Sequence, residues 1–130
     1  MANTTPITLK VKDLEPREVL AFDYSFDQII DDEGQVNSKV RGGFITIRVK
    51  AMNDGNNQLL VWLLNEYEKH DLEIEILSTA TGKPMKTIKG EGCYCVNYTE
   101  CWEDKQPHFE EIIVSCQNIS NGAKFENFWK

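Results

Sequence analysis

Strict alternation of apolar and polar residues constrains this chain more than any other feature. Residues 7–12, Ile-Thr-Leu-Lys-Val-Lys, switch without a slip, which places Ile7, Leu9 and Val11 on the buried face of a strand. Residues 44–51 repeat the pattern, setting Ile45, Ile47, Val49 and Ala51 against Thr46, Arg48 and Lys50. Further strands are read over 18–29, with Leu20, Phe22, Tyr24 and Phe26 inward, and over 72–78, with Leu72, Ile74 and Ile76 inward. Two more run from Lys86 to Trp102 and from His108 to Ile119. Gly90 and Gly92 predict a bulge or bend in the first of these two. Turns follow from Pro16, from Thr81-Gly82-Lys83-Pro84 and from Glu103-Asp104-Lys105-Gln106-Pro107.

Strands this long, left in an open sheet, would offer unpaired edges to other chains. The pattern therefore predicts a mainly β protein: a small, closed or nearly closed antiparallel β-barrel in a single domain spanning residues 1–130. One helix is predicted, after the turn Asn53-Asp54-Gly55 and from about Asn56 to Tyr67. Leu59, Leu60, Leu63, Leu64 and Tyr67 share its apolar face, and Val61 and Trp62 lie off it. A helix apolar on more than one side is either deeply buried or touches a second surface. The aromatic-ended tail, Asn121 to Lys130, is spaced for burial.

A net charge of −7 opposes phosphate binding, so nucleic acid is excluded as a partner and an anionic membrane surface is disfavoured. No apolar run approaches the roughly 20 residues that span a bilayer. The segment Met1–Thr5 with Pro6 to Thr8 has neither a basic n-region nor an apolar h-region. It is not expected to act as a secretory signal, and Cys93, Cys95, Cys101 and Cys116 are expected as reduced thiols in the cytosol.

Chemistry has few footholds. If the Glu103–Gln106 turn sets the hairpin register, Cys116 falls opposite Cys93, and a one-residue slip would put it on the other face. With Cys95, and Cys101 or His108 as a fourth ligand, these thiols could hold zinc. Small hydrophobes packed in a strand are the better account, because a C-x-C spacing on a strand is unusual for structural zinc. Asp27 with Asp31-Asp32-Glu33 lacks the ligand alternation of a calcium loop and reads as a solvated acidic loop. Adjacent Glu110 and Glu111 face opposite ways and make no catalytic pair. Gly90-Glu91-Gly92 is no dinucleotide fingerprint, and no nucleophile, metalloprotease or P-loop motif is present. No enzyme activity and no cofactor are expected.

What remains is surface. Lys39, Arg41, Arg48 and Lys50 form a basic stripe near the acidic Asp31, Asp32 and Glu33. Such a stripe is either a solvated face or a device for self-association with acidic groups of a neighbouring copy. Phe44, Val61 and Trp62 are candidate apolar contacts outside the core. The connection from Asp31 to Gly43 is long, and long ordered loops are usually functional.

Lys39-Val40-Arg41-Gly42-Gly43 followed by an alternating strand, then Trp62-Leu63 and Asn65-Glu66-Tyr67-Glu68-Lys69, resembles the tube protein of bacterial type VI secretion systems, the haemolysin-coregulated protein family, in its Bacteroidetes form. The likeness continues through Glu91-Gly92-Cys93-Tyr94-Cys95-Val96-Asn97-Tyr98 into Glu126-Asn127-Phe128-Trp129, about residues 18–130, and rests on order and spacing rather than any single motif. It implies a six-membered ring of β-barrels stacked into a tube inside a contractile sheath. Contraction would expel the tube with its spike from a baseplate, and effectors could ride in the lumen. The subunit would be cytoplasmic before firing and then secreted without a signal peptide. The resemblance also implies that the loop Asp31–Gly43 reaches the adjoining ring. Met1–Thr5 and the cysteine cluster depart from the family pattern and leave a specialised paralogue open. The alternatives are a tail-tube subunit of a phage-like injection device, and a monomeric barrel holding a small apolar ligand.

Overall fold

The computed structural model describes residues 6–52, 54–105 and 108–127. The expectations for Met1–Thr5, for Asn53, for Gln106-Pro107 and for the terminal aromatics Phe128 and Trp129 lie outside the described residues. Elements follow in the order β1 (Ile7–Val11), β2 (Arg17–Tyr24), β3 (Phe44–Lys50), α1 (Gln58–Leu64), β4 (His70–Leu77), β5 (Pro84–Cys101), β6 (Phe109–Ser120) and β7 (Lys124–Glu126). The strands run β3-β2-β1-β4-β5-β6, every pair antiparallel, and a β3–β6 pairing closes the ring of six. The short β7 extends the edge of β6 beyond the end of β3.

Closure leaves a single interior. Leu9, Ile45, Ile47, Ile74, Ile112 and Val114 are each fully shielded, so side chains occupy the barrel rather than a ligand chamber. β1 and β3 bury the residues their alternation predicts, except that Ile7 is only half-buried and Ala51 lies just past the end of β3.

β2 corrects the sequence reading. Val19 is buried and Leu20 is 44% exposed, because Val19 pairs with Val49 while Ala21 pairs with Arg48. Leu20 is thus the extra residue of a β-bulge, and beyond it Phe22 and Tyr24 return to the inner side. The strand also ends at Tyr24 rather than at residue 29, and Phe26 leaves the barrel wall. β5 is bulged twice. The first shift lies opposite the His70–Leu72 segment, where Asp71 accepts a hydrogen bond from the Gly92 N–H at 2.9 Å. The second falls between Cys95 and Asn97 and turns Val96 outward. The predicted bend at the glycines is therefore present.

The helix is shorter than its pattern. It covers Gln58–Leu64, its buried residues are Leu59 and Trp62, and it packs on β5. Trp62, expected off the core face, is as buried as Leu59: it is 1% exposed, its indole N–H donates to the Glu68 carbonyl at 3.0 Å, and its ring meets His70 edge-on. Leu64 and Tyr67, expected inward, are exposed. The helix stops at Asn65 and Tyr67 adopts a positive φ of 65°, so the turn that carries the chain into β4 removes Tyr67 from the helical face.

Candidate functional site

The segment from Ser25 to Gly43 departs from the barrel wall as an arm folded back on itself. Isolated bridges pair Asp27 with Arg41 and Ile30 with Val36. At the tip, Asp31 Oδ1 accepts hydrogen bonds from the N–H groups of Glu33 and Gln35, both at 2.9 Å. The acidic run is thus a turn held by its own first carboxylate, an Asx-type arrangement. The arm carries Ile29, Ile30, Val36 and Val40 on its outside, between 44% and 59% exposed. Apolar side chains at such density on a protruding segment are the mark of a surface that something else covers.

The arm's root explains the glycine pair. A Cβ on Gly42 would sit 2.2 Å from the Phe26 ring, so Phe26 reaches Phe125, with ring centroids 4.8 Å apart, only across a bare backbone. Gly43 has φ +99°, and a Cβ there would overlap the Asn127 side chain and the Cys116 carbonyl. Asn127 ties the same place together by donating to the carbonyls of Cys116 and Gly42.

The basic stripe is only partly a stripe. Arg41 forms a two-pronged salt bridge with Asp27, Nε to Oδ1 at 2.9 Å and Nη2 to Oδ2 at 3.0 Å, which raises the guanidinium pKa further and pins the arm's two strands together. Arg48 bonds Glu111 at 3.1 Å and covers the Phe109 ring at 4.1 Å. Arg41 and Arg48 are therefore engaged within the chain. Phe44, 56% exposed, and Val61, 42% exposed, do present apolar surface, whereas Trp62 is a core residue and drops out of any surface. Phe44 stands at the arm's root, in line with Thr46 and Arg48 on the outer face of β3, while Val61 belongs to the helix.

One buried grouping was not foreseen. Arg17 and Glu110 form an ion pair inside the barrel, 3% and 2% exposed, with Arg17 also donating to the Lys50 carbonyl and Tyr98 donating to Glu110. The opposed orientation of Glu110 and Glu111 was legible from strand geometry; the partner of Glu110 was not. Cys93 lies opposite Cys116, as expected, but the ladder next to the turn pairs Cys101 with Phe109 and reaches this register only through the bulge at Val96; both side chains are fully buried and their sulfurs are 2.6 Å apart. The Cys93 thiol pKa is pushed up strongly, by its contact with Cys116 first and by burial second. Cys95 is raised to about 11 by burial. Among the described residues no group of three or more His, Cys, Asp or Glu side chains converges as a metal site.

The sequence profile of "Hemolysin coregulated protein Hcp (TssD)" matches residues 4–130. Among solved structures, Hcp1 from Flavobacterium johnsoniae superposes with a TM-score of 0.86 at 27% identity, covering 93% of this chain and 98% of that one. Hcp1 from an E. coli EAEC 042 pathovar, in a mutated form, gives 0.74 at 13% identity over 97% and 100% of the two chains. The sheath/tube terminator of the PVC extracellular contractile injection system gives 0.63 at 21% identity over 95% and 97%. The last two share the fold. Comparison with curated proteins gives no match.

Proposed function

Because the chain belongs to the haemolysin-coregulated protein (Hcp, TssD) family, whose members are structural subunits of the type VI secretion tube, we propose that it forms six-membered rings that stack into the tube through the arm Ser25–Gly43. The observation that carries the tube reading is the family match over nearly the whole chain. For the arm, support comes from apolar side chains held outside the chain's own core on a segment braced by Asp27–Arg41, Phe26–Phe125 and the glycine pair. Stacked rings need ends that complement each other. The acidic tip Asp31, Asp32 and Glu33, with Lys39, Arg41, Phe44, Arg48, Lys50 and Val61, makes up the proposed stacking and subunit surface. Within it Arg41 serves by holding the arm in shape.

Around the tube, a contractile sheath is the expected partner, with spike and baseplate proteins at its end and effector proteins in the lumen. The subunit is then cytoplasmic before firing and exported with the tube. Light scattering with negative-stain imaging of the purified protein tests the ring. The expected outcome is an annular particle with the mass of six 15.0 kDa chains, and a stable monomer overturns it.

A further inference from the structure

We propose that Cys93 and Cys116 form a cross-strand disulfide that staples β5 to β6 once the protein meets a disulfide oxidant. The geometry begins with pairing. Cys93 and Cys116 are direct partners in the β5–β6 ladder. The main-chain groups of Cys116 point away from β5: its N–H donates to the Gly43 carbonyl at 2.6 Å and its carbonyl accepts from the Asn127 side chain at 3.0 Å. The two cysteines therefore face each other as a non-hydrogen-bonded pair, the arrangement in which antiparallel Cα atoms come to about 4.5 Å. That spacing is inside the range a disulfide bridges without moving the backbone.

Space for the bond is built in. Gly90, on the same strand as Cys93, is buried against both thiols: a Cβ there would lie 2.9 Å from the Cys93 sulfur and 3.1 Å from that of Cys116. The bulge after Gly90 shifts β5 so that Cys93 follows Gly90 onto the inner side, where both sulfurs already touch. Cys95 and Cys101 are different. Cys95 pairs with Val114 and Cys101 with Phe109, so neither has a thiol opposite.

The chemistry is ordinary thiol–disulfide exchange with glutathione disulfide as oxidant. One cysteine thiolate attacks a glutathione sulfur and releases one glutathione thiolate, leaving a mixed disulfide. The second cysteine thiolate then attacks the protein-side sulfur and releases the other. Two protein sulfurs are oxidised, two glutathione sulfurs are reduced, and the two thiol protons end on the two glutathiones. Because both thiols are shielded in the folded barrel, exchange is fastest while β5 and β6 are still associating.

The test is to refold the full chain in a mixture of reduced and oxidised glutathione, and to count alkylatable thiols after denaturation. The expected result is two of the four thiols lost, a mass lower by about two protons' worth than the fully reduced chain, and a Cys93–Cys116 linkage by peptide fragmentation. A Cys95→Ser, Cys101→Ser double variant should lose both of its remaining thiols to the same linkage. Closing a loop of 23 residues should raise the thermal midpoint of the oxidised form by about 5–10 °C over the reduced form. Four free thiols after refolding, a stable glutathione adduct in place of a bridge, or a linkage through Cys95 or Cys101 would overturn the proposal. None of these readouts depends on whether rings form.

Discussion

Arg17 and Glu110 place a full ion pair where the barrel otherwise holds isoleucine and valine. Glu110 is well supplied, accepting from Arg17 and from Tyr98, but the Nε and Nη1 of Arg17 find no acceptor among the described residues. Breaking such a pair from one side strands a buried charge and costs about 3–5 kcal/mol. Glu110→Gln is therefore expected to lower unfolding free energy by about 3 kcal/mol in denaturant titration. The double change Arg17→Met with Glu110→Leu removes both charges and should cost less than either single change. A double variant less stable than both would show that the pair itself holds the barrel closed. Tyr98 adds a pH dependence. Burial and then its bond to Glu110 push the phenol pKa above the ordinary 10.0, and burial raises Cys95 to about 11 from 9.0. Both protons leave the unfolded chain first, so the folded state binds more protons as pH rises. Stability from these groups is complete below about pH 9 and falls above it as first the thiol and then the phenol ionise in the unfolded chain. The thermal midpoint should decline between pH 8 and 11, and Tyr98→Phe should flatten the part above pH 10.

At the scale of elements, β2, β5 and the arm share one device: a local irregularity that changes where the next side chains point. The bulges put Leu20 and Val96 outside while Val19 and Cys95 stay in. The arm depends on its root. Arg41→Asp alone should loosen it and abolish stacking while rings persist, because the bridge to Asp27 is lost. The swap Asp27→Arg with Arg41→Asp rebuilds the bridge in reverse. If Arg41 acts by bracing the arm, the swap restores tubes in negative-stain images; failure to restore them would mean that Arg41 touches the next ring directly. Gly42→Ala drives a methyl into the Phe26 ring and should displace the arm even though every charge remains. Expected here is lost stacking with a ring of unchanged mass.

For the whole molecule, the exposed apolar side chains of the arm, together with Phe44, are hard to reconcile with a solitary barrel. Ile30→Asp with Val36→Asp changes only solvent-facing groups of the free chain. It should leave the melting midpoint within about 2 °C, a surface substitution's usual effect, and remove tubes. Tubes that survive would place the ring contact elsewhere.

Alternation alone determined much of this protein: which residues of β1, β3 and β4 face inward, and that long strands must close on themselves. These follow from a fixed two-residue period, which a sequence displays directly. The order and spacing of its motifs carried the family, while the glycine pair marked a tight place without saying what was tight. Tertiary structure decided what the period cannot carry. Bulges at Leu20 and Val96 invert the pattern without a sequence mark of their own, since an extra apolar residue looks like any other. Trp62 went to the core and Tyr67 to the surface because a two-turn helix ends where the chain must turn into β4, not where its apolar residues end. Arg17 found Glu110, and Arg41 found Asp27, across separations that no local pattern records. Charge pairing is settled by which side chains the closed barrel and its arm bring within reach, and that is a property of the folded chain.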